Sequence, residues 1–214
     1  MIAPQAMDAQ TLVRLLDLAG IGVFALTGAL MAVRLRQTFV TAGFFALVTG
    51  VGGGSVRDLL IGAPVFWVQD GAVAAVCIAI ALIVWVTPER WWRGDLLEWA
   101  DAVGLAAYSV FGTWKAISWG VPVVPALLMG IITGCVGGII RDVLASVPSI
   151  LLRPEIYVTA AALASGLYLL LLWAGASTAA AAASGALAGF ALRGAAIRWS
   201  LALPVYRAGE DKEY

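Results

Sequence analysis

Residues 49–64 read TGVGGGSVRDLLIGAP, and residues 133–148 read TGCVGGIIRDVLASVP. At a single offset of 84 residues the two stretches share Thr49/Thr133, Gly50/Gly134, Gly53/Gly137, Gly54/Gly138, Arg57/Arg141, Asp58/Asp142, Leu60/Leu144 and Pro64/Pro148. The same offset joins Asp17 to Asp101, Gly20 to Gly104 and Gly28 to Gly112. Chance supplies one such pair, not a series in register. The chain is built from two similar units, each carrying an Arg-Asp pair directly behind a glycine cluster.

The residues around the repeat place it in lipid. Of 214 residues, 62% are hydrophobic and 12% charged, with a mean hydropathy of +0.96; a soluble domain carries about 25% charged residues. A helix crossing the hydrocarbon core needs about 20 apolar residues. Charges, prolines and glycine turns divide the chain into helices near 10–33, 38–61, 67–87, 97–117, 122–146, 155–174 and 177–196. Ile156 to Leu192 contains no charged residue. As one helix that run would be about 55 Å long, too long for a single crossing. A turn near Gly175-Ala176-Ser177 therefore separates two spans.

Seven spans then group as one three-helix unit at 10–87, a second at 97–174, a seventh helix at 177–196 and a tail at 197–214. Three is odd, so the second unit enters from the opposite side of the membrane. The expected fold is an all-α integral membrane protein with a three-plus-three inverted repeat, an arrangement that puts transport sites near the midplane.

The positive-inside bias gives the expected orientation. Arg34, Arg36, Arg90, Arg93, Arg153, Arg193, Arg198, Arg207 and Lys212 fall on one side, against Lys115 and the membrane-embedded Arg14 and Arg57. This puts the N-terminus outside and the C-terminus in the cytoplasm. Trp67, Trp91, Trp92, Trp99, Trp119, Trp173 and Trp199 fall at span ends, as an interfacial belt requires. The opening MIAPQAMDAQ lacks a basic n-region, so a cleaved signal peptide is not expected.

Composition also removes function classes. Thirteen basic residues balance thirteen acidic ones, so no basic field points to nucleic acid. There is no histidine, which excludes a Ser-His hydrolase. Asp58 and Asp142 each follow an arginine and lie outside any GxGD context, which argues against an aspartyl dyad. Cys77 and Cys135 have no CxxC spacing and read as small packing residues. No enzyme, cofactor or tightly bound metal is expected.

What remains is a pathway. Gly50, Gly52, Gly53 and Gly54 lie past the middle of the second span, with Gly134, Gly137 and Gly138 in the matching part of the fifth. Clustered glycine permits a bend or break, whose freed carbonyls suit a cation. The alternative is close packing, since Gly50/Gly54, Gly130/Gly134 and Gly134/Gly138 have small-xxx-small spacing. Arg57, Asp58, Arg141 and Asp142 are embedded charges that need partners. Neighbouring residues point about 100° apart on a helix, so the expected pairs are Asp17–Arg57 and Asp101–Arg141, which brace or gate the two ends. Lys115 is expected to snorkel to the outer interface, or else to serve as a positive group in the membrane field. In the seventh helix Gly185 and Gly189 read as a packing face, and Arg193 and Arg198 as cytoplasmic anchors.

Seven spans, an inverted repeat and the paired GGGSVRD and CVGGIIRD motifs resemble the prokaryotic branch of the trimeric intracellular cation (TRIC) channel family, over about residues 10–200. The resemblance implies a homotrimer in the cell (inner) membrane, with a pore in each subunit that conducts potassium and also sodium. It implies bends at Gly52, Gly53 and Gly54 and at Gly137 and Gly138. Val136 stands where the first motif has Gly52, so the second motif has one glycine fewer. Nothing resembles a TVGYG filter, in keeping with modest selectivity. Besides membrane lipid and its own copies no partner is implied, and nucleic acid is not one. The alternative is a secondary transporter of a small amino acid such as glycine, because bent helices in an inverted repeat also suit alternating access.

Overall fold

The computed structural model describes residues 9–92 and 94–204. Among these residues seven α-helices follow one another: α1 (Ala9–Arg34), α2 (Phe39–Leu60), α3 (Gly71–Val86), α4 (Leu96–Ser118), α5 (Val123–Leu144), α6 (Val158–Trp173) and α7 (Thr178–Trp199). Among the described residues the only β pairing is an isolated bridge between Glu155 and Ala202. Arg93, Arg207, Lys212 and most of the expected tail lie outside the described residues.

Local chemistry sets the helix ends. Thr38, Asp70 and Ser177 cap α2, α3 and α7 by accepting backbone N–H bonds from Thr41, Ala72 and Ala180, which satisfies donors that have no partner within the helix. Gly175, at φ +87°, makes the turn after α6, a conformation that glycine adopts without a Cβ penalty. The charge-free run is thus two helices. α3 and α6 are 16 residues each, shorter than the spans expected at 67–87 and 155–174. The residues ahead of them form matching 3-10 turns, Phe66–Val68 and Ile150–Leu152, again 84 apart. α7 runs on to Trp199, so it takes up the first residues of the expected tail.

Among the described residues four helices are both long and apolar enough to cross a membrane: α1 from Arg14, α2, α5 and α7. α4 instead carries Glu98, Asp101 and Lys115. Trp173, Leu152 and Val40 face outward, which suits contact with lipid.

The two units meet through reciprocal contacts. α1 packs on α4, and α2 on α5. Gly20 lies under the ring of Tyr108, and its repeat mate Gly104 lies under the ring of Phe24, the mate of Tyr108. These two rings meet edge to face, with centroids 5.5 Å apart. Between α2 and α5, Gly53 faces the carbonyl of Thr133, and Gly137 faces the carbonyl of Thr49. When residue i meets j and the mate of j meets the mate of i, a two-fold relation is implied. That pseudo-axis passes through both crossings.

Candidate functional site

α2 and α5 each continue as one helix through their glycine clusters. The glycines allow close approach of the neighbouring elements. A Cβ on Gly137 would come within 2.5 Å of the Thr49 carbonyl oxygen, and one on Gly53 would collide with that of Thr133. Gly52 faces Ile140, Gly54 the ring of Phe66, and Gly50 faces Cys77 and Ile21. Gly134 touches Ser109 and the Leu105 carbonyl. Thr49, Ser109, Thr113 and Thr133 are buried beside these crossings, the Thr49 hydroxyl facing Gly28 of α1 and the other three lying where α4 meets α5, so the α2–α5 contact itself is made by backbone carbonyls. In α7, Gly185 and Gly189 pack on Ala160 and Ala164 of α6, within the subunit.

Each glycine cluster leads into a buried charge centre. In the first, Arg57 Nε donates to Asp58 Oδ1 at 2.9 Å, with Nη2 2.8 Å from the same oxygen. Asp58 Oδ2 accepts the Phe66 N–H at 3.1 Å, and Lys115 Nζ lies 2.9 Å from Oδ1 and 3.0 Å from Oδ2. In the second, Arg141 Nε donates to Asp142 Oδ1 at 3.0 Å, and Asp142 Oδ2 accepts the Ile150 N–H at 3.0 Å. Arg141 Nη1 also donates to Asp101 Oδ1 at 2.8 Å. Phe66 and Ile150 are repeat mates, so each 3-10 turn hands one backbone N–H to the aspartate of its own unit.

Asp101–Arg141 is the expected pair, but Asp17–Arg57 does not form. Tyr108 Oη lies 2.8 Å from Asp17 Oδ1 and 2.7 Å from the Asp17 carbonyl, and Arg57 turns to Asp58. The neighbouring Arg and Asp do satisfy each other in both units, against expectation. The long arginine side chain curls back across the 100° that separates the two residues on the helix, a reach that helix angle alone does not express. Lys115 does not snorkel. It reaches inward to Asp58, with Phe66 beneath its ammonium at 5.6 Å. Arg14, expected in the membrane interior, is exposed and pairs with Asp70, the α3 cap, at 2.8 Å.

Three residues escaped the reading of the sequence. Tyr108 and its mate Phe24 differ by one hydroxyl, and that hydroxyl claims Asp17; a tyrosine amid apolar helix was the available signal. Arg193 is buried rather than an interfacial anchor. It pairs with Glu155 at 2.8 Å and lies over the Tyr157 ring at 5.3 Å, tying α7 to the entry of α6. Tyr157 itself points into the second centre beside Gly138. Nothing in its local sequence distinguishes it from an interfacial tyrosine.

Two pseudo-symmetric halves, each ending in a buried Arg-Asp centre, define a helical membrane protein of inverted-repeat design. A family model described as "Glycine transporter" matches the chain twice, over residues 14–89 and 98–174. A "UPF0126 membrane protein" of Vibrio cholerae is 39% identical over 202 residues, covering 92% of this chain and 83% of that one. The "UPF0126 inner membrane protein YadS" of Escherichia coli K12 is 38% identical, covering 94% and 99%. Among solved structures, the TRIC channel orthologue from Rhodobacter sphaeroides is 38% identical with a TM-score of 0.82, over 90% of this chain and 100% of that one. A second TRIC cation channel structure is 27% identical, also with a TM-score of 0.82, over 92% and 98%. The chain belongs to the prokaryotic TRIC channel family. Its solved relatives are ion channels and not enzymes.

Proposed function

We propose that the chain is a monovalent cation channel, a homotrimer of the inner membrane with a pathway through each subunit that carries potassium and also sodium. The carrying observation is the pair of buried Arg-Asp centres at the far ends of α2 and α5, joined by the glycine crossing between them, where backbone carbonyls of Thr49 and Thr133 meet the opposite helix. Charged groups in a membrane interior are costly, and they are kept where they face a polar pathway. Likeness to TRIC channels over nine-tenths of the chain supports the same reading. The loop arginines favour an external N-terminus and a cytoplasmic C-terminus.

Within this reading the glycine crossing is the narrow part, and the two centres brace or gate its ends. Lys115 on Asp58 blocks the first end with positive charge when it is bound there. It lies in the membrane field, so its departure is sensitive to voltage, each elementary charge being worth about 2.3 kcal/mol per 100 mV. No cofactor is needed, since potassium and sodium are the cargo. The family description favours the second reading, a carrier of glycine. Proteoliposomes separate the two. Rapid potassium efflux with no glycine uptake supports the channel; saturable, gradient-coupled glycine uptake with no potassium flux overturns it.

A further inference from the structure

Among the described helices α7 alone has no mate in the repeat, and it packs on α4 and α6. Near its end Arg193, only 2% exposed, holds three consecutive residues at the entry to α6. Its Nη2 lies 2.8 Å from Glu155 Oε2, its Nη1 donates to the Ile156 carbonyl at 3.3 Å, and the guanidinium lies over the Tyr157 ring at 5.3 Å. Glu155 is shared, since Arg153 lies 3.6 Å from its other oxygen. The residues behind α7 hold the same stretch: the Leu203 N–H donates to the Pro154 carbonyl at 2.6 Å, and Ala202 bridges Glu155.

Tyr157 carries this hold into the second centre. Its side chain is buried in one cluster with Leu105, Cys135 and Ile150. Its hydroxyl reaches the Asp101 carboxylate, which also takes Arg141 Nη1 at 2.8 Å. The first centre has no such arrangement. At the 84-residue offset Glu155 and Tyr157 map onto Gly71 and Val73, which offer neither charge nor hydroxyl. Its additional cation is Lys115, whose mate is Met31. The Lys115 side chain is 18% exposed, against 2% for Arg193. A flexible amine at the edge of solvent thus serves one end, and a planar guanidinium set between a carboxylate, a carbonyl and a ring serves the other. A cation over an aromatic face is held more strongly when it is shielded from water.

We propose that Arg193 is the positioning residue of the second centre: it fixes Tyr157 against Asp101, so that this centre stays set while the Lys115 centre is the one that rearranges. Its action runs through the tyrosine ring. Because Glu155 keeps Arg153, removing Arg193 does not strand that carboxylate, and the loss falls on Tyr157 rather than on the whole fold. That the fixed end lies on a conduction pathway rests on the channel reading; the hold on Tyr157 does not.

The two native cysteines report on the two units, Cys77 being buried in the first and Cys135 in the second, in the cluster of Tyr157. The test is the rate at which N-ethylmaleimide modifies each of them in the purified full chain, read by mass spectrometry. Arg193→Gln is expected to speed modification of Cys135 about tenfold, the local opening that loss of a desolvated ring contact permits, with Cys77 unchanged. In a Tyr157→Leu background, where no ring is left to hold, Arg193→Gln should add little further. Arg193→Lys keeps a cation against the ring but loses the fork to Glu155 and Ile156; its Cys135 rate should fall between wild type and Arg193→Gln, and it serves alone if Arg193→Gln does not fold. An unchanged Cys135 rate in these Arg193 variants overturns the proposal. So does equal acceleration of both cysteines, which is plain loss of stability, or a full Arg193→Gln effect in the Tyr157→Leu background. Selective exposure of Cys135 in a protein that passes no potassium would keep the hold and remove the channel; potassium flux with no selective exposure would do the opposite.

Discussion

Arg141 bonds two aspartates from one guanidinium, whereas its mate Arg57 bonds one and leaves Nη1 buried without a partner. Removing one member of a buried pair strands the other charge, at a cost of about 3–5 kcal/mol. Arg141→Met should therefore destabilise the protein more than Tyr108→Phe. The latter deletes one hydroxyl bond to Asp17, a loss of about 1–3 kcal/mol. Chemical or thermal unfolding in detergent checks the order, and equal losses would contradict it. Lys115→Met should leave the protein folded, since Arg57 and the Phe66 N–H still hold Asp58, and it should make the voltage dependence of opening shallower in single-channel records. At this scale the sequence was only partly legible. The 84-residue offset located every centre, because charges in an apolar helix are conspicuous. It did not give the partners, because an arginine side chain reaches several carboxylates and a tyrosine hydroxyl competes for them.

At the scale of elements, the glycines of α2 and α5 are contact points, and their sensitivity should follow what faces them. A methyl at Gly53 meets the backbone carbonyl of Thr133, which cannot move without shifting α5; a methyl at Gly52 meets the flexible end of Ile140. Gly53→Ala and Gly137→Ala should each cost about 1–3 kcal/mol by overpacking. Gly52→Ala should cost clearly less. Melting temperatures of the three variants check this, and equal effects at Gly52 and Gly53 would remove the close-approach explanation. Surviving protein with Ala at Gly53 should also conduct less, since the crossing is the narrow part of the proposed pathway. The helices themselves were legible from apolar run length and from the turn at Gly175. The purpose of the glycines was not, since bending and close packing ask for the same residue at the same spacing.

For the whole molecule, the reciprocal contacts of Gly20 with Tyr108, Gly104 with Phe24, and Gly53 and Gly137 with opposite threonine carbonyls make the inverted repeat a physical two-fold and not only a pattern of letters. An odd number of helices in each unit sets this arrangement, which is why it could be read from the sequence. The departures from symmetry, Lys115 against Met31 and Tyr108 against Phe24, distinguish the two ends of the molecule and give the proposed pathway its direction. Recording the purified protein in a planar bilayer, with potassium chloride on both sides, tests the channel most directly. Discrete unitary openings are expected, with a reversal potential that follows the potassium gradient when one side is diluted. A silent bilayer from protein that takes up glycine in vesicles would contradict it.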